Sequence, residues 1–171
     1  ISRNMGKNMK DFGDALFPDL PPAKRLEVME ACMEYENQYL EDHPGILYPQ
    51  VAEVLQQLSW KYKLFIVSNC QKGYIEVLMR SCNLEEYITD IECYGNTGLS
   101  KADNISMVIQ RNHLDQSFYV GDTAMDAEAA AGAGIPFVHA AYGFGQVNGA
   151  EAVIREFGEL LQLSRKLLGE D

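Results

Sequence analysis

Two carboxylates stand four residues apart in the stretch FYVGDTAMDAEAAAGAG (residues 118–134), just after a short apolar run. In a helix, Asp122 and Asp126 would lie one turn apart on the same face, where like charges repel each other. Asp122 alone could be a helix N-cap. The pair instead favours a bound divalent cation, because Mg²⁺ prefers oxygen ligands such as carboxylates. The spacing therefore indicates a candidate metal site.

Other polar residues follow apolar runs elsewhere in the chain. Ser68 and Asn69 come after KLFIV, and Lys101 begins the stretch KADNISMVIQRN. Ser68 and Asn69 could simply cap the next helix. Lys101 at a helix start opposes the macrodipole, although exposed lysines are common. A hydroxyl, an ammonium and metal-binding carboxylates together would neutralise a phosphoryl group. The set predicts phosphoryl chemistry, but none of its members suits the role of in-line nucleophile or base.

The elements that must position these residues alternate between strand and helix. Apolar runs predict four strands, in KLFIVSN, YITDIECYG, QSFYVGD and IPFVHAA. Helical spacing predicts helices in QKGYIEVLMRSCN, KADNISMVIQRN and TAMDAEAAAGAG, and a closing helix over residues 149–168. This order predicts the α/β class, with a doubly wound parallel sheet that binds ligands outside the carboxyl ends of its strands.

The first part of the chain has no strand pattern. We expect a short helix in MKDFGDALF and a longer one beginning at PPAKRLEV. The stretch EDHPGILYP predicts a hinge, and QVAEVLQQLSWKY then predicts an amphipathic helix that packs on the sheet. We therefore expect a small helical cap in residues 1–43 and the sheet domain in residues 44–171.

Composition narrows the classes of partner. The chain has 171 residues and a net charge of −11, and its Lys and Arg residues are scattered, which argues against a nucleic-acid partner. The apolar runs are too short to span a bilayer, so we expect no membrane partner. The four cysteines form no C-x-x-C pair and the three histidines are far apart, which favours reduced thiols in a cytoplasmic protein over a zinc site.

Three stretches together resemble a known family. FIVSNCQKGYIEVLM, GLSKADNISMVIQRN and FYVGDTAMDAEAAAGAGIPFVHAAYGFG are similar, in this order, to motifs II, III and IV of the haloacid dehalogenase (HAD) superfamily. The helical first part resembles the small cap of the phosphoglycolate-phosphatase and β-phosphoglucomutase subgroup. The resemblance implies a HAD-like, Rossmann-like core and a Mg²⁺-dependent phosphatase that acts on a small phosphorylated metabolite through an aspartyl-phosphate.

The resemblance also implies a role for each polar residue. Ser68 would bind the phosphoryl oxygens, and Asn69 would line the same loop. Lys101 would pair with the nucleophile and with the phosphate charge. Asp122 would be a Mg²⁺ ligand, and Asp126 would be either a second ligand or a support for the metal's waters and for Lys101.

The sequence departs from the family pattern in two places. Ala102 follows Lys101 where the subgroup often has proline, which we expect to be tolerated. The first motif of the family, D-x-D-G after an apolar strand, is absent. Its two aspartates supply the nucleophile and the general acid/base, and Asp11, Asp14 and Asp19 cannot replace them because no apolar strand precedes them. The chain as given is therefore expected to be inactive.

The absent motif has a structural consequence. In the family, its strand lies between the strand that ends at Ser68 and the strand that leads to Asp122. Without that strand, two edges would face a gap, and exposed edges invite pairing with another chain. We expect either ~20–30 further N-terminal residues or another chain, including a second copy, to fill the gap.

Other functions remain open at this point. A phosphomutase or a dehalogenase would have the same fold, although dehalogenases need no metal and the aspartate pair argues mildly against them. A non-catalytic HAD-like binding domain is the alternative from another class. The cap would set substrate choice, and the sequence does not say which of its candidate side chains faces the site: Lys7, Lys10, Lys24, Arg25 or Tyr35.

Overall fold

A computed structural model describes residues 6–169 as eight α-helices and five short strands. The helices are α1 (Met9–Leu16), α2 (Pro22–Asp42), α3 (Val51–Ser59), α4 (Tyr74–Ser81), α5 (Tyr94–Thr97), α6 (Lys101–Arg111), α7 (Ala124–Gly132) and α8 (Leu160–Leu167). The strands are β1 (Phe65–Ser68), β2 (Asp90–Cys93), β3 (Tyr119–Gly121), β4 (Phe137–Ala140) and β5 (Ala152–Ile154).

All strand pairs are parallel, and they form two sheets. β1 pairs with β2, with Ser68 opposite Cys93. The second sheet has the order β3-β4-β5, with Gly121 opposite His139. The predicted α/β class with parallel strands is confirmed.

Helices cover both faces of the strands. α3 and α8 pack through Val54, Leu58 and Leu160 against β4 and β5. On another face, α6 and α7 pack against each other, and their cluster includes Val67 of β1. A third cluster places α4 over β1 and β2. The α6–α7 layer contacts strands of both sheets and therefore holds the two sheets side by side.

In the part of the chain that the structure describes, β1 and β3 each have one edge without a backbone partner. Within residues 6–169, β1 has a backbone partner only in β2, and β3 has one only in β4. The side chain of Tyr119 extends from β3 to β1, where its hydroxyl donates a hydrogen bond to the carbonyl of Val67 at 2.7 Å. The described strands thus leave an interval between β1 and β3, and a side chain, rather than a backbone ladder, joins its two sides.

The last predicted helix is only partly correct. The helix predicted over residues 149–168 is replaced at its start by β5, which pairs with β4, and a short 3₁₀ turn at Phe157–Glu159 then leads into α8. The sequence Ala-Val-Ile contains two β-branched residues, which fit a pleated strand well. The free edge of β4 offers them backbone partners, and this tertiary pairing outweighs the helical spacing of the apolar residues.

The first part of the chain is helical, as expected. The side chain of Asn8 caps α1 by accepting a hydrogen bond from the backbone nitrogen of Asp11. Pro21 is the N-cap residue of α2, which begins at Pro22. α2 packs on α1 and on α4. The boundary of the cap at residue 43 stays a prediction. No helix in the described part of the chain is long and apolar enough to cross a membrane.

Candidate functional site

The loop after β1 carries the first pair of predicted site residues. Ser68 Oγ accepts a hydrogen bond from the backbone nitrogen of Cys70 at 3.3 Å, and Asn69 Nδ2 donates to the carbonyl of Gly6 at 2.7 Å. α4 begins only at Tyr74 and has no side-chain cap. Ser68 and Asn69 therefore do not cap α4, and helix capping does not explain their presence in this loop.

Lys101 and Asp126 form a buried ion pair between α6 and α7. Lys101 Nζ donates to Asp126 Oδ1 at 2.5 Å, and the two side chains are only 10% and 7% exposed. The position of Lys101 follows from the start of α6, where Ser100 is the N-cap and accepts from the backbone of Asp103. The unfavourable placement of a cation at a helix start is thus offset by a carboxylate from the next helix.

The second oxygen of Asp126 closes the first turn of α7. Its Oδ2 accepts hydrogen bonds from the backbone nitrogens of Asp122 and Thr123 at 3.2 and 3.0 Å, and from Thr123 Oγ1 at 2.7 Å. Thr123, not Asp122, is the N-cap, and it forms a reciprocal capping box with Asp126. Both oxygens of Asp126 are engaged, which favours the supporting one of its two predicted roles.

These contacts keep Asp126 charged. Burial alone would raise its pKa, but the charge and hydrogen bond of Lys101 and the hydrogen bonds from Thr123 outweigh burial, so the pKa is lowered. The repulsion expected between Asp122 and Asp126 is thus relieved, at least in part, by Lys101 and by backbone donors. A metal ion is not needed to explain why Asp126 is ionised.

Asp122 is held by the loop that follows β4. The backbone nitrogen of Phe144 donates to Asp122 Oδ2 at 2.7 Å, while the Phe144 ring is 67% exposed. Any side chain at Gly143 would collide with Asp122, because a Cβ atom there would lie 2.3 Å from Asp122 Cβ. At the end of β3, a Cβ on Gly121 would lie 2.5 Å from Asp126 Cβ. Glycines thus let the backbone pack directly against both carboxylates.

Tyr119 connects the two sides of the site. Lys101 Nζ lies 5.9 Å from the centre of the Tyr119 ring, and the hydroxyl of Tyr119 bonds to the residue before Ser68. Burial, followed by the charges of Asp126 and Asp122, raises the pKa of Tyr119, so its hydroxyl stays a neutral donor. The loops after β1 and β3 also approach each other at Gly6, which accepts from Asn69 and lies against Thr123.

The described residues provide only part of a metal site. Within residues 6–169, no group of three or more His, Cys, Asp or Glu side chains is placed to hold a metal ion. Asp122 has one oxygen bonded to Phe144, and Asp126 is occupied by Lys101 and Thr123. Asp122 is therefore the one of these two carboxylates that could ligate Mg²⁺ without breaking the Lys101 pair, and further oxygen donors are needed.

Cys70 lies beside the candidate site but is not suited to react. Its side chain is buried against Cys93, and burial raises the pKa of its thiol to about 12. A thiol with such a pKa is almost entirely protonated at neutral pH and is a poor nucleophile. All four cysteines are free.

Sequence reasoning missed three contributors to the site: Tyr119, His139 and the backbone of Phe144. The ring nitrogen Nε2 of the buried His139 lies 3.3 Å from the carbonyl of Gly145, in the loop that reaches Asp122. The Gly-x-Gly in AYGFG could have indicated the loop that contains Phe144, because it follows the fourth predicted strand and must lie at the same edge of the sheet as the other site residues. Tyr119 gave no signal, because an aromatic residue in a strand is usually core.

Comparison with known proteins identifies a family and distant relatives. The family model of the haloacid dehalogenase-like hydrolases matches residues 1–140. Curated phosphoglycolate phosphatases of Shigella boydii serotype 4 and Escherichia coli O157:H7 are both 23% identical over 170 residues, covering 96% of this chain. The chain spans 61% of the length of these relatives.

Solved structures share the fold. A haloacid dehalogenase-like family hydrolase from Streptococcus pneumoniae has a TM-score of 0.77 at 19% identity, covering 95% of this chain and 79% of that one. CbbY from Rhodobacter sphaeroides, solved in complex with phosphate, has a TM-score of 0.73 at 17% identity, covering 93% and 77%. The matched family model spans the loops that carry Ser68, Lys101, Asp122 and Asp126, and the chain belongs to the haloacid dehalogenase-like hydrolase family.

Proposed function

We propose that this protein acts as a Mg²⁺-dependent phosphatase on a small phosphorylated metabolite, through an aspartyl-phosphate intermediate. The observation that carries the proposal is the buried Lys101–Asp126 pair beside Asp122, in a chain of the haloacid dehalogenase-like hydrolase family. Phosphoryl transfer depends mainly on positioning and on charge stabilisation. The ammonium of Lys101, held in place by Asp126, would stabilise negative charge on the phosphoryl group, and the carboxylate of Asp122 could position a metal ion that does the same.

The residues of this chain would bind and orient the phosphoryl group. Ser68 Oγ would donate to a phosphoryl oxygen; in the structure it accepts a hydrogen bond from the backbone nitrogen of Cys70. Lys101 would share its ammonium between Asp126 and the phosphoryl oxygens. Asp126 would act as a positioning residue that holds the ammonium of Lys101 in place through their hydrogen bond.

Mg²⁺ would be held by Asp122 together with oxygen donors outside the described residues. When bound, the ion would neutralise charge on the phosphoryl oxygens. The loop after β4 would fix the carboxylate of Asp122 through the Phe144 nitrogen. Asp126 would support the site without ligating the metal, since both of its oxygens are occupied.

The nucleophilic carboxylate would come from a strand in the interval between β1 and β3. Both strands present an edge with no backbone partner in residues 6–169, and such edges favour the addition of a strand. A parallel strand there would end beside Ser68 on one side and Gly121 on the other, close to Lys101. We propose that this strand comes from a part of the protein outside residues 1–171, with a second copy of the chain as the competing occupant.

The experiment compares residues 1–171 with the product of the complete open reading frame, using p-nitrophenyl phosphate with and without Mg²⁺. The complete product should hydrolyse the ester only with Mg²⁺, whereas residues 1–171 alone should not. Absence of turnover by the complete product over a broad panel of phosphate esters would overturn the proposal and favour a non-catalytic binding domain. A phosphomutase would instead transfer the group to a second sugar phosphate.

Variants of the complete product test the residue roles. Lys101→Met and Asp122→Asn should each lower kcat by at least about 100-fold, because each removes charge stabilisation from the transition state. Asp115→Asn is the matched control, since Asp115 is exposed in the bend before β3, at the amino end of that strand rather than at its carboxyl end. Equal effects of Asp122→Asn and Asp115→Asn would contradict the assigned metal site.

Oligomeric state distinguishes the two possible occupants of the interval. If a second copy fills it, residues 1–171 should sediment as a dimer at micromolar concentration, and an added N-terminal strand should restore the monomer.

The four free cysteines fit a reducing compartment, so a cytoplasmic location is part of this proposal.

A further inference from the structure

The loop after β4 (residues 141–145) packs against Asp122 at three points. The backbone nitrogen of Phe144 donates to Asp122 Oδ2 at 2.7 Å. A Cβ on Gly143 would lie 2.4 Å from that same oxygen, and a Cβ on Gly145 would lie 2.4 Å from the carbonyl oxygen of Asp122. The loop therefore lies against both the side chain and the backbone of Asp122, so a displacement of the loop would turn the carboxylate.

The two ends of this loop are held in different ways. At its start, the backbone nitrogen of Ala141 donates to the carbonyl of Ile154 in β5 at 2.9 Å, and that of Gly143 donates back to β4 at 3.0 Å. At its end, the ring nitrogen Nε2 of His139 lies 3.3 Å from the carbonyl oxygen of Gly145. The sheet backbone thus fixes the start of the loop, and a side chain of β4 supports its end.

His139 is a polar residue in a strand that is otherwise apolar. All four residues of β4 are buried, and His139 is only 6% exposed. Successive side chains of a strand point to opposite faces. Val138 and Ala140 belong to the cluster with α3 and α8, so His139 lies on the other face, where its ring is stacked with that of Phe137. Burying an imidazole is costly unless its polar atoms are bonded, and the contact with Gly145 offsets part of that cost.

The contact with Gly145 also determines where the imidazole carries a proton. A carbonyl oxygen only accepts hydrogen bonds, so His139 must donate from Nε2. Leucine would fill a similar volume without a donor, whereas glutamine would place an amide donor at a similar distance from the backbone. These two substitutions therefore separate the hydrogen bond of His139 from the packing of its side chain.

We propose that His139 is a positioning residue for Asp122: its ring holds Gly145, and the loop after β4 in turn sets the orientation of the Asp122 carboxylate toward a metal ion. The link to Mg²⁺ rests on the proposed function, whereas the link from His139 to the loop does not. Residues that orient a metal ligand typically change metal affinity by about 10–100-fold when they are lost. His139 acts through the loop rather than on the ligand directly, so we expect the lower end of that range.

The first test follows the amide proton of Phe144 by NMR hydrogen exchange, without Mg²⁺, in residues 1–171 and in the complete product. His139→Leu should make exchange at Phe144 about tenfold faster, because the loop loses its support and the bond to Asp122 opens more often. Exchange at Ala141, which bonds to β5, should change by less than about twofold. Unchanged exchange at Phe144, or equal acceleration at both amides, would overturn the proposal.

A conservative variant and a matched control separate the hydrogen bond from general effects. His139→Gln should keep exchange at Phe144 slow, since its amide can donate to Gly145. His43→Leu makes the leucine substitution at an exposed imidazole, at the end of α2, and should leave Phe144 unchanged. If His139→Gln accelerates exchange as much as His139→Leu does, the packing of the ring and not its donor supports the loop, and the assignment is wrong.

A double variant tests the route from His139 to Asp122. Asp122→Ala removes the acceptor of the Phe144 nitrogen and should itself make exchange at Phe144 faster. Adding His139→Leu to that variant should then change the rate by less than about twofold, because the two residues act on the same bond. A full tenfold further acceleration would show that His139 acts independently of Asp122, which contradicts a positioning role.

The protonation of the ring can be examined without any variant. The ¹⁵N chemical shifts of the His139 ring show which nitrogen carries a proton, and the proposal requires a proton on Nε2. A proton on Nδ1 with none on Nε2 would exclude the bond to Gly145 and would overturn the proposal even if the variants did not fold.

The second test measures Mg²⁺ binding to the complete product by isothermal titration calorimetry, with no substrate present. His139→Leu should weaken Mg²⁺ about tenfold, and His139→Gln by less than about threefold. At saturating Mg²⁺, kcat for p-nitrophenyl phosphate should stay within about threefold of the wild type, so the loss lies in metal affinity. Equal Mg²⁺ affinity of the wild type and His139→Leu would overturn the proposal. If the wild type binds no Mg²⁺, the proposed function fails, while the exchange experiment still decides whether His139 holds the loop.

Discussion

The ammonium of Lys101 lies 2.5 Å from one carboxylate oxygen of Asp126, and both side chains are almost fully buried. The pair joins the start of α6 to the first turn of α7. The other oxygen of Asp126 holds Thr123 and the backbone of Asp122. One aspartate therefore orders the cation, the helix start and the neighbouring carboxylate together.

Breaking this pair from either side should destabilise the protein. Lys101→Met or Asp126→Asn should each lower the free energy of unfolding by about 3 kcal/mol, because removing one partner leaves the other buried without its counterion. The double variant should lose less than the sum of the two. Urea unfolding measures all four proteins, and additive losses would show that the pair is not coupled. Lys24→Met breaks an exposed pair with Glu27 and should leave the urea midpoint nearly unchanged.

The contribution of Asp126 to the free energy of unfolding should decrease when the pH is lowered into the acidic range. Its folded pKa is lowered below the ordinary value of 3.8, so its contribution is complete above that value and is lost as the pH falls through the folded pKa. The difference in unfolding free energy between the wild type and Asp126→Asn should therefore be constant near neutrality and shrink below about pH 4. Asp115→Asn provides the baseline, and an unchanged difference at pH 2.5 would contradict the assignment.

The loop after β4 should depend on the absence of a side chain at Gly143. Gly143→Ala would place its Cβ within 2.4 Å of a carboxylate oxygen of Asp122, so the loop must move and the bond from the Phe144 nitrogen is lost. We expect a loss of about 1–3 kcal/mol in stability and weaker Mg²⁺ activation of the complete product. Gly45→Ala is the control, because a Cβ there meets no atom within 4 Å.

The hydroxyl of Tyr119 should matter only while the interval beside β1 is empty. In residues 1–171, Tyr119→Phe should cost about 1 kcal/mol, because the carbonyl of Val67 loses its donor. In the complete product, a strand in the interval would supply a backbone donor to that carbonyl, and the variant should then be close to neutral. Equal losses in the two proteins would argue that no strand lies there.

The sequence by itself determined the class of fold, and it was enough to choose the candidate site residues. Apolar runs alternating with helical spacing are local features, and the residues just after each run must lie at one edge of a parallel sheet. Ser68, Lys101, Asp122 and Asp126 could be chosen on that basis, and the family to which the chain belongs could be recognised from their order. The roles given to these four residues stay predictions.

The tertiary structure decided how these residues are paired and what surrounds them. No local pattern shows that Lys101 meets Asp126 across two helices, that Phe144 holds Asp122, or that Tyr119 bridges two sheets. These contacts join residues distant in the chain, and their geometry depends on packing. β5 formed for the same reason, since the free edge of β4 gave Val153 and Ile154 partners that helical spacing could not reveal.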